Sequence, residues 1–181
     1  MSALRAFLTE ENINLHKRHL EHLRLLHSIN EKSMPQLVGR SPREVLRADI
    51  PPSVRREVVE NMLNVRAHEV YFSSFCLERK KVDGIKRFYP SEEAFLYDAL
   101  CLAEGASGGF LIFYTDTRGV PRFVVTADCF ELLRTTALLA IDLCEHAYFL
   151  DYGFDREKYL RAALERLDLS RLLCERERKR P

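Results

Sequence analysis

The sequence predicts an α+β fold: a long N-terminal helical hairpin, then a C-terminal α/β domain with a three-stranded antiparallel sheet. Three observations lead to this prediction. Two long stretches of the first half have no interior Gly or Pro and favour helices. Two β-rich runs of the second half flank a short turn segment, and a third apolar run supplies one more strand.

The first predicted helix covers residues 9–31. Thr9 is a suitable N-terminal cap, and the acidic residues Glu10 and Glu11 favour the positive end of the helix dipole. Several prolines follow this stretch and mark the connection to the next helix.

The second predicted helix runs from Ser53 to about Glu78. Its mainly apolar stripe steps by three and four residues, as one buried face of a helix requires. This stripe contains Val58, Asn61, Val65, His68 and Phe72. The charged segment KKVDGIKRFYP at 80–90 then marks the predicted boundary between a hairpin domain (1–80) and an α/β domain (81–181).

The α/β domain combines helices and strands. A capped helix is predicted over 91–104, and a final helix begins near Asp155. The runs FLIFYT (110–115) and RFVVTA (122–127) read as an antiparallel hairpin around DTRGVP, and ALLAID (137–142) is the third strand.

Composition and charge exclude several classes of protein. The 28 basic and 27 acidic residues give a net charge of +1, which argues against a nucleic-acid-binding chain. The tail ERERKRP carries charges of both signs and does not change this prediction. The apolar run at 137–141 is far too short to cross a membrane, and the start of the chain does not resemble a secretory signal. Five widely spaced cysteines without a CxxC motif predict reduced thiols and a cytoplasmic protein.

Ionisable residues on apolar faces form the candidate site. Asp142 ends the third predicted strand, and His146 follows four residues later, so burial of the pair requires a shared proton, a hydrogen bond or a metal. His68 lies on the stripe of the second helix, and His16 lies on an apolar face of the first. Each residue alone is more simply a salt-linked or core residue. Together, three imidazoles and one carboxylate suit iron, manganese or zinc.

Four segments resemble the iron/manganese superoxide dismutase family. The segment TTALLAIDLCEHAYFLDYGFDREKYLRA is similar to the family's C-terminal signature, D-x-W-E-H-A-Y followed by D-Y and Y-L, with Cys144 in place of the tryptophan. LTEENINLH (8–16) and NVRAHEVYF (64–72) resemble the segments that carry the first two histidine ligands. GASGGF (105–110) resembles the turn before the sheet.

The resemblance implies a superoxide dismutase that converts superoxide to oxygen and hydrogen peroxide at one iron or manganese ion per subunit. It places the ion between the two domains and implies four ligands: His16, His68, Asp142 and His146. Glu145 and Tyr148 match the family's bridge between subunits, which implies a homodimer through the Glu145–His146 region.

The departures from the family lie around the ligands. The family has a gateway tyrosine eight residues after the first ligand, and this chain has Arg24 at that position. Halfway between the two positions, Leu20 replaces a histidine of the family. The two positions from which family members supply a solvent-binding glutamine hold Cys129 and Asn64. The aromatic wall changes from tryptophan to Phe72, Phe110 and Cys144.

Several alternatives remain open at this point. His19 as first ligand is a second possible register, which places His27 at the gateway. The altered surroundings also fit a dismutase-like scaffold or interaction protein with weak or lost activity. A third hypothesis is redox chemistry of another kind that uses Cys129 or Cys144.

Overall fold

The computed structural model describes residues 3–79, 82–127, 129–133 and 136–173. It confirms the α+β fold. The helices are α1 (Glu10–Ser33), α2 (Pro42–Val45), α3 (Pro52–Ser73), α4 (Glu92–Glu104), α5 (Phe149–Tyr152) and α6 (Arg156–Glu165). The strands are β1 (Phe110–Thr115), β2 (Pro121–Thr126) and β3 (Leu139–Asp142).

Helices α1 and α3 pack against each other and form the predicted hairpin. The Thr9 side chain caps α1 by accepting a hydrogen bond from the Asn12 N–H. The second helix ends five residues earlier than predicted, at Ser73. The hydroxyls of Ser73 and Ser74 donate to the Val70 carbonyl, and the chain then turns so that Phe75 can pair with Leu167. These local hydrogen bonds compete with continuation of the helix.

The sheet is antiparallel in the order β2-β1-β3. The predicted hairpin is confirmed, and the Asp116 carboxylate holds its turn by accepting from the N–H groups of Arg118 and Val120. The third strand begins at Leu139 rather than at Ala137, since only the last part of the apolar run pairs with β1.

All residues of β3 and the first four residues of β1 are buried and belong to the core. Helix α3 packs against β3, while α4 packs against β2 and α6. The 3-10 turn Glu145–Ala147, just after β3, contacts α1. The C-terminal end of β3 therefore lies where both long helices can reach it.

The segment after the hairpin is more than a charged link. Val82 and Ile85 join the core, and the Glu92 carboxylate accepts a hydrogen bond from the Val82 N–H. The division into domains at residue 80 stays a prediction. Each helix in the described part of the chain is too short or too polar to cross a membrane. The predicted charged tail at 175–181 lies outside the described residues.

Gly109, directly before β1, offers a test of this packing. Its φ is +83°, and an added Cβ would lie 2.0 Å from the Thr126 carbonyl oxygen. We expect Gly109→Ala to lower the free energy of unfolding by about 3 kcal/mol or more, because a backbone clash adds to left-handed strain. Urea unfolding measures the change.

Gly39 provides the matched control. Its φ is +71°, but an added Cβ meets no atom within 4 Å. Gly39→Ala should therefore lower the free energy of unfolding by only about 1–2 kcal/mol, the cost of the left-handed conformation. Equal losses in the two variants would contradict the close approach of Gly109 to the Thr126 carbonyl.

Candidate metal centre

Three imidazoles converge on one carboxylate oxygen at the end of β3. The Nε2 atoms of His16, His68 and His146 lie 3.1, 3.4 and 3.0 Å from Oδ2 of Asp142. One potential ligand atom from each of the four residues lies within 4.8 Å of the others. The structure thus brings together the four residues that the sequence predicted, and it places His16 rather than His19 in the group.

Each member of this four-residue cluster comes from a different point of the fold. His16 and His68 face each other from α1 and α3, with ring centroids 5.1 Å apart. Asp142 is the last residue of β3, and His146 lies in the following 3-10 turn. The side chains of His16, His68 and Asp142 are at most 3% exposed, whereas that of His146 is 31% exposed. The cluster is therefore closest to solvent at His146.

Backbone groups orient two members of the cluster. The Nδ1 of His68 lies 2.7 Å from the Asn64 carbonyl oxygen, to which it donates, so the Nε2 lone pair faces the cluster. The Asp142 carboxylate accepts the Cys144 N–H at Oδ1, which leaves Oδ2 to face the imidazoles. The Tyr159 hydroxyl donates to the Asp142 main-chain carbonyl and anchors the end of β3.

Burial and charge set the protonation of the cluster. Burial lowers the pKa of His68 to about 4, because it disfavours the charged ring more than Asp142 favours it. Burial alone would raise the pKa of Asp142, but the neighbouring His146 and His16 rings outweigh burial and hold that pKa well below its usual range. At neutral pH, Asp142 is ionised and His68 is neutral, which are the states that metal ligation requires.

Aromatic rings enclose the cluster. The ring centroid of Phe72 lies 5.1 Å from that of His16, and the ring centroid of Phe110 lies 5.1 Å from that of His68. Two of the three predicted wall residues, Phe72 and Phe110, therefore contact the cluster. Tyr71 packs on His16 as well, at 4.7 Å, although the sequence analysis missed it. Its position three residues after His68, on the same face of α3, was the signal that could have identified it.

The two residues at the glutamine positions contact each other. The Cys129 thiol donates to Oδ1 of Asn64 over 3.2 Å, and Asn64 also supplies the carbonyl that orients His68. Cys129 is buried and has a φ of 60°, an uncommon conformation for a residue other than glycine. Cys144, at the tryptophan position, lies against Gly109, whose N–H donates to its sulfur.

Arg24 forms an ion pair at the surface. Its guanidinium is paired with Glu69 at 2.7 Å, and both side chains are about half exposed. A surface cavity of about 530 Å³ beside them is lined by two basic and two acidic side chains. The charge of Arg24 is therefore balanced locally. Leu20, between Arg24 and His16 on α1, is buried.

The residues predicted to reach a partner subunit lie beside the cluster. Glu145 is exposed, while Tyr148 is buried and stacks on Tyr159 with 5.0 Å between ring centroids. Their predicted role across an interface stays a prediction.

The cluster fits a metal ion. Neither ring nitrogen of His16 has a hydrogen-bond partner, nor has Nε2 of His68, although all three atoms are buried. Buried polar atoms without partners are costly, and a cation would satisfy the two Nε2 atoms that face Asp142. Donor atoms about 2.1 Å from one ion lie about 3.0–4.2 Å apart. The separations from Oδ2, 3.0–3.4 Å, fall within that range.

The pKa of His68 predicts how the stability of the metal-free protein depends on pH. The unfolded chain takes up this proton near pH 6.5 and the folded chain only near pH 4, so stability falls as the pH falls through this window. We expect wild type to lose about 2 kcal/mol of unfolding free energy relative to His68→Gln between about pH 7 and pH 4.5.

Urea unfolding of both proteins in the presence of a chelator, at a series of pH values, measures this difference. Burial lowers the pKa of His146, but the hydrogen bond and the negative charge of Asp142 together outweigh burial and raise it, which affects the stability of both proteins with the opposite sign. The difference between the two proteins therefore isolates His68. Parallel stability curves would contradict the lowered pKa of His68.

Comparison with known sequences identifies the family. The family model described as iron/manganese superoxide dismutases, C-terminal domain, matches residues 80–172, just over half of the chain. A search of curated proteins finds no significant match. The matched region contains the sheet, Asp142 and His146, and the family depends on iron or manganese. The chain therefore belongs to the iron/manganese superoxide dismutase family.

Proposed function

We propose that the protein is a divergent superoxide dismutase that binds one iron or manganese ion per subunit through His16, His68, Asp142 and His146. The observation that carries this proposal is the convergence of four buried or half-buried donors on one point. The net reaction joins two superoxide anions and two protons to give one oxygen and one hydrogen peroxide. Zinc would not serve, because the reaction needs an ion that changes its charge by one electron.

The bound ion would supply the one-electron redox couple, and the protein supplies its environment. Asp142 provides a buried negative charge, which favours a cation at this point. The Asn64 carbonyl holds the His68 ring in the tautomer that presents Nε2 to the cluster. The Phe72 and Phe110 rings limit the water around the buried histidines. A small anion would approach beside His146, the most exposed of the four, at the edge of the proposed dimer interface.

A homodimer through the Glu145–His146 region is part of the proposal. Glu145 is exposed, and the following segment carries large apolar side chains that are also exposed. Phe149 and Leu150 are 44% and 52% exposed, and Phe154 is 94% exposed. A second copy would cover these apolar side chains and bring its own Glu145 towards His146, where the family resemblance implies a bridge.

A scaffold without activity is the second candidate. The ion pair of Arg24 with Glu69 and the loss of the gateway tyrosine favour it, because both lie where family members control access. Thiol redox chemistry is less well supported. Burial raises the pKa of Cys144 to about 11, so this side chain is an unreactive thiol at neutral pH.

A cytoplasmic location, inferred from the cysteine pattern, belongs to the proposal as well.

Metal content and activity test the proposed function directly. We expect the purified protein to hold iron or manganese and to remove superoxide. His146→Ala should lower metal affinity or activity by at least about tenfold, because it removes a proposed ligand. Elemental analysis and a superoxide assay measure both quantities.

His22→Ala is the matched control, since His22 is an exposed histidine on α1 outside the cluster. It should leave metal content and activity unchanged. Protein without iron or manganese would contradict the proposed centre. Protein that binds metal but does not remove superoxide would favour the scaffold.

The proposed dimer can be tested at its most exposed apolar side chain. We expect a native mass of twice 21.1 kDa. Phe154→Asp should weaken the dimer by at least about tenfold, because a buried charge at an interface is costly. Sedimentation equilibrium measures the dissociation constant. Leu77→Asp, at a side chain 53% exposed in another part of the chain, should have no effect. A monomeric wild-type protein would contradict the interface.

A further inference from the structure

We propose that the His19 imidazole covers the open side of the cluster and limits the access of small anions. This inference rests on the proposed metal centre and deepens it. It assigns the control of access to a residue that has no part in the proposed ligand set, and it does not depend on the residue at the gateway position.

Ring contacts place His19 over the cluster. It lies on α1, one turn after His16, and is half-buried. Its ring centroid lies 4.5 Å from that of His146 and 5.0 Å from that of His68. These two rings come from different elements, so the His19 ring spans the gap between α3 and the turn after β3. His146 is also the most exposed member of the cluster, and His19 therefore packs on the side nearest to solvent.

The same geometry distinguishes a cover from a ligand. His19 does not belong to the four residues whose donor atoms lie within 4.8 Å of one another. Its ring is thus beside the converging nitrogen atoms rather than among them. The other candidate on this helix, Arg24, is held at the surface by Glu69. Of these two α1 residues, His19 is the one that contacts the cluster rings.

In this proposal, the His19 ring moves aside before an anion can reach the point where the four donors converge. The observed affinity for an anion is then the intrinsic affinity reduced by the fraction of molecules in which the ring has moved. If that fraction is about one tenth, removal of the ring strengthens anion binding about tenfold. A ring of similar size without nitrogen atoms should keep the affinity low.

Azide binding to the iron-loaded, full-length protein tests the cover. The probe is azide alone, titrated while the visible absorbance of the ferric centre is recorded, after the iron content of each variant has been measured. We expect His19→Ala to bind azide about tenfold more tightly than wild type. His19→Phe should remain within about twofold of wild type, because it keeps a ring.

His22→Ala, on the exposed face of the same helix, should match wild type. Azide affinity that is unchanged or weaker in His19→Ala would overturn the cover, and so would a His19→Phe variant that behaves like His19→Ala. Wild-type protein that holds no iron would instead overturn the proposed metal centre itself. If His19→Ala does not retain iron, His19→Gln, which also lacks the ring, gives the same comparison.

Discussion

The structure of the site depends on one buried carboxylate. Asp142 is fully buried, and an isolated carboxylate in that position would be strongly destabilising. The chain compensates with a Cys144 N–H at Oδ1 and three imidazoles around Oδ2. These groups come from α1, from α3 and from the turn after β3, so the position of Asp142 couples both long helices to the sheet and to that turn. A bound cation would complete this arrangement rather than create it.

The orientation of the cluster survives large changes in its surroundings because main-chain groups provide much of it. The Asn64 carbonyl fixes the His68 ring, and the Cys144 N–H fixes the Asp142 carboxylate. Neither hydrogen bond uses a side chain of Asn64 or Cys144. The tryptophan of the family motif can therefore be replaced at 144 while the hydrogen bond to Asp142 is kept. The cysteine side chain is much smaller than that of tryptophan, and its sulfur lies against Gly109, whose N–H donates to it.

Regular elements and the four cluster residues could be predicted from sequence, because each follows from a local pattern. Helical spacing placed His16 and His68 on facing sides, and the end of an apolar strand placed Asp142. The end of α3 at Ser73 could not be predicted in this way, since it depends on pairing between Phe75 and the distant Leu167. The ion pair between Arg24 and Glu69 could not be predicted either, because the two residues are 45 positions apart in the chain.

The positions of His19 and Arg24 separate two properties that a motif comparison treats together. The first is the ability to hold an ion, which depends on buried donors and on main-chain hydrogen bonds. The second is access to that ion, which depends on half-buried side chains of α1 near the surface. Sequence resemblance identifies the donors at their family positions, but it says little about access once the gateway tyrosine is absent. In this chain a ring on the adjacent helical face contacts the cluster, whereas the cation at the gateway position is paired with Glu69 at the surface. Access can therefore change between relatives while the set of donors stays the same.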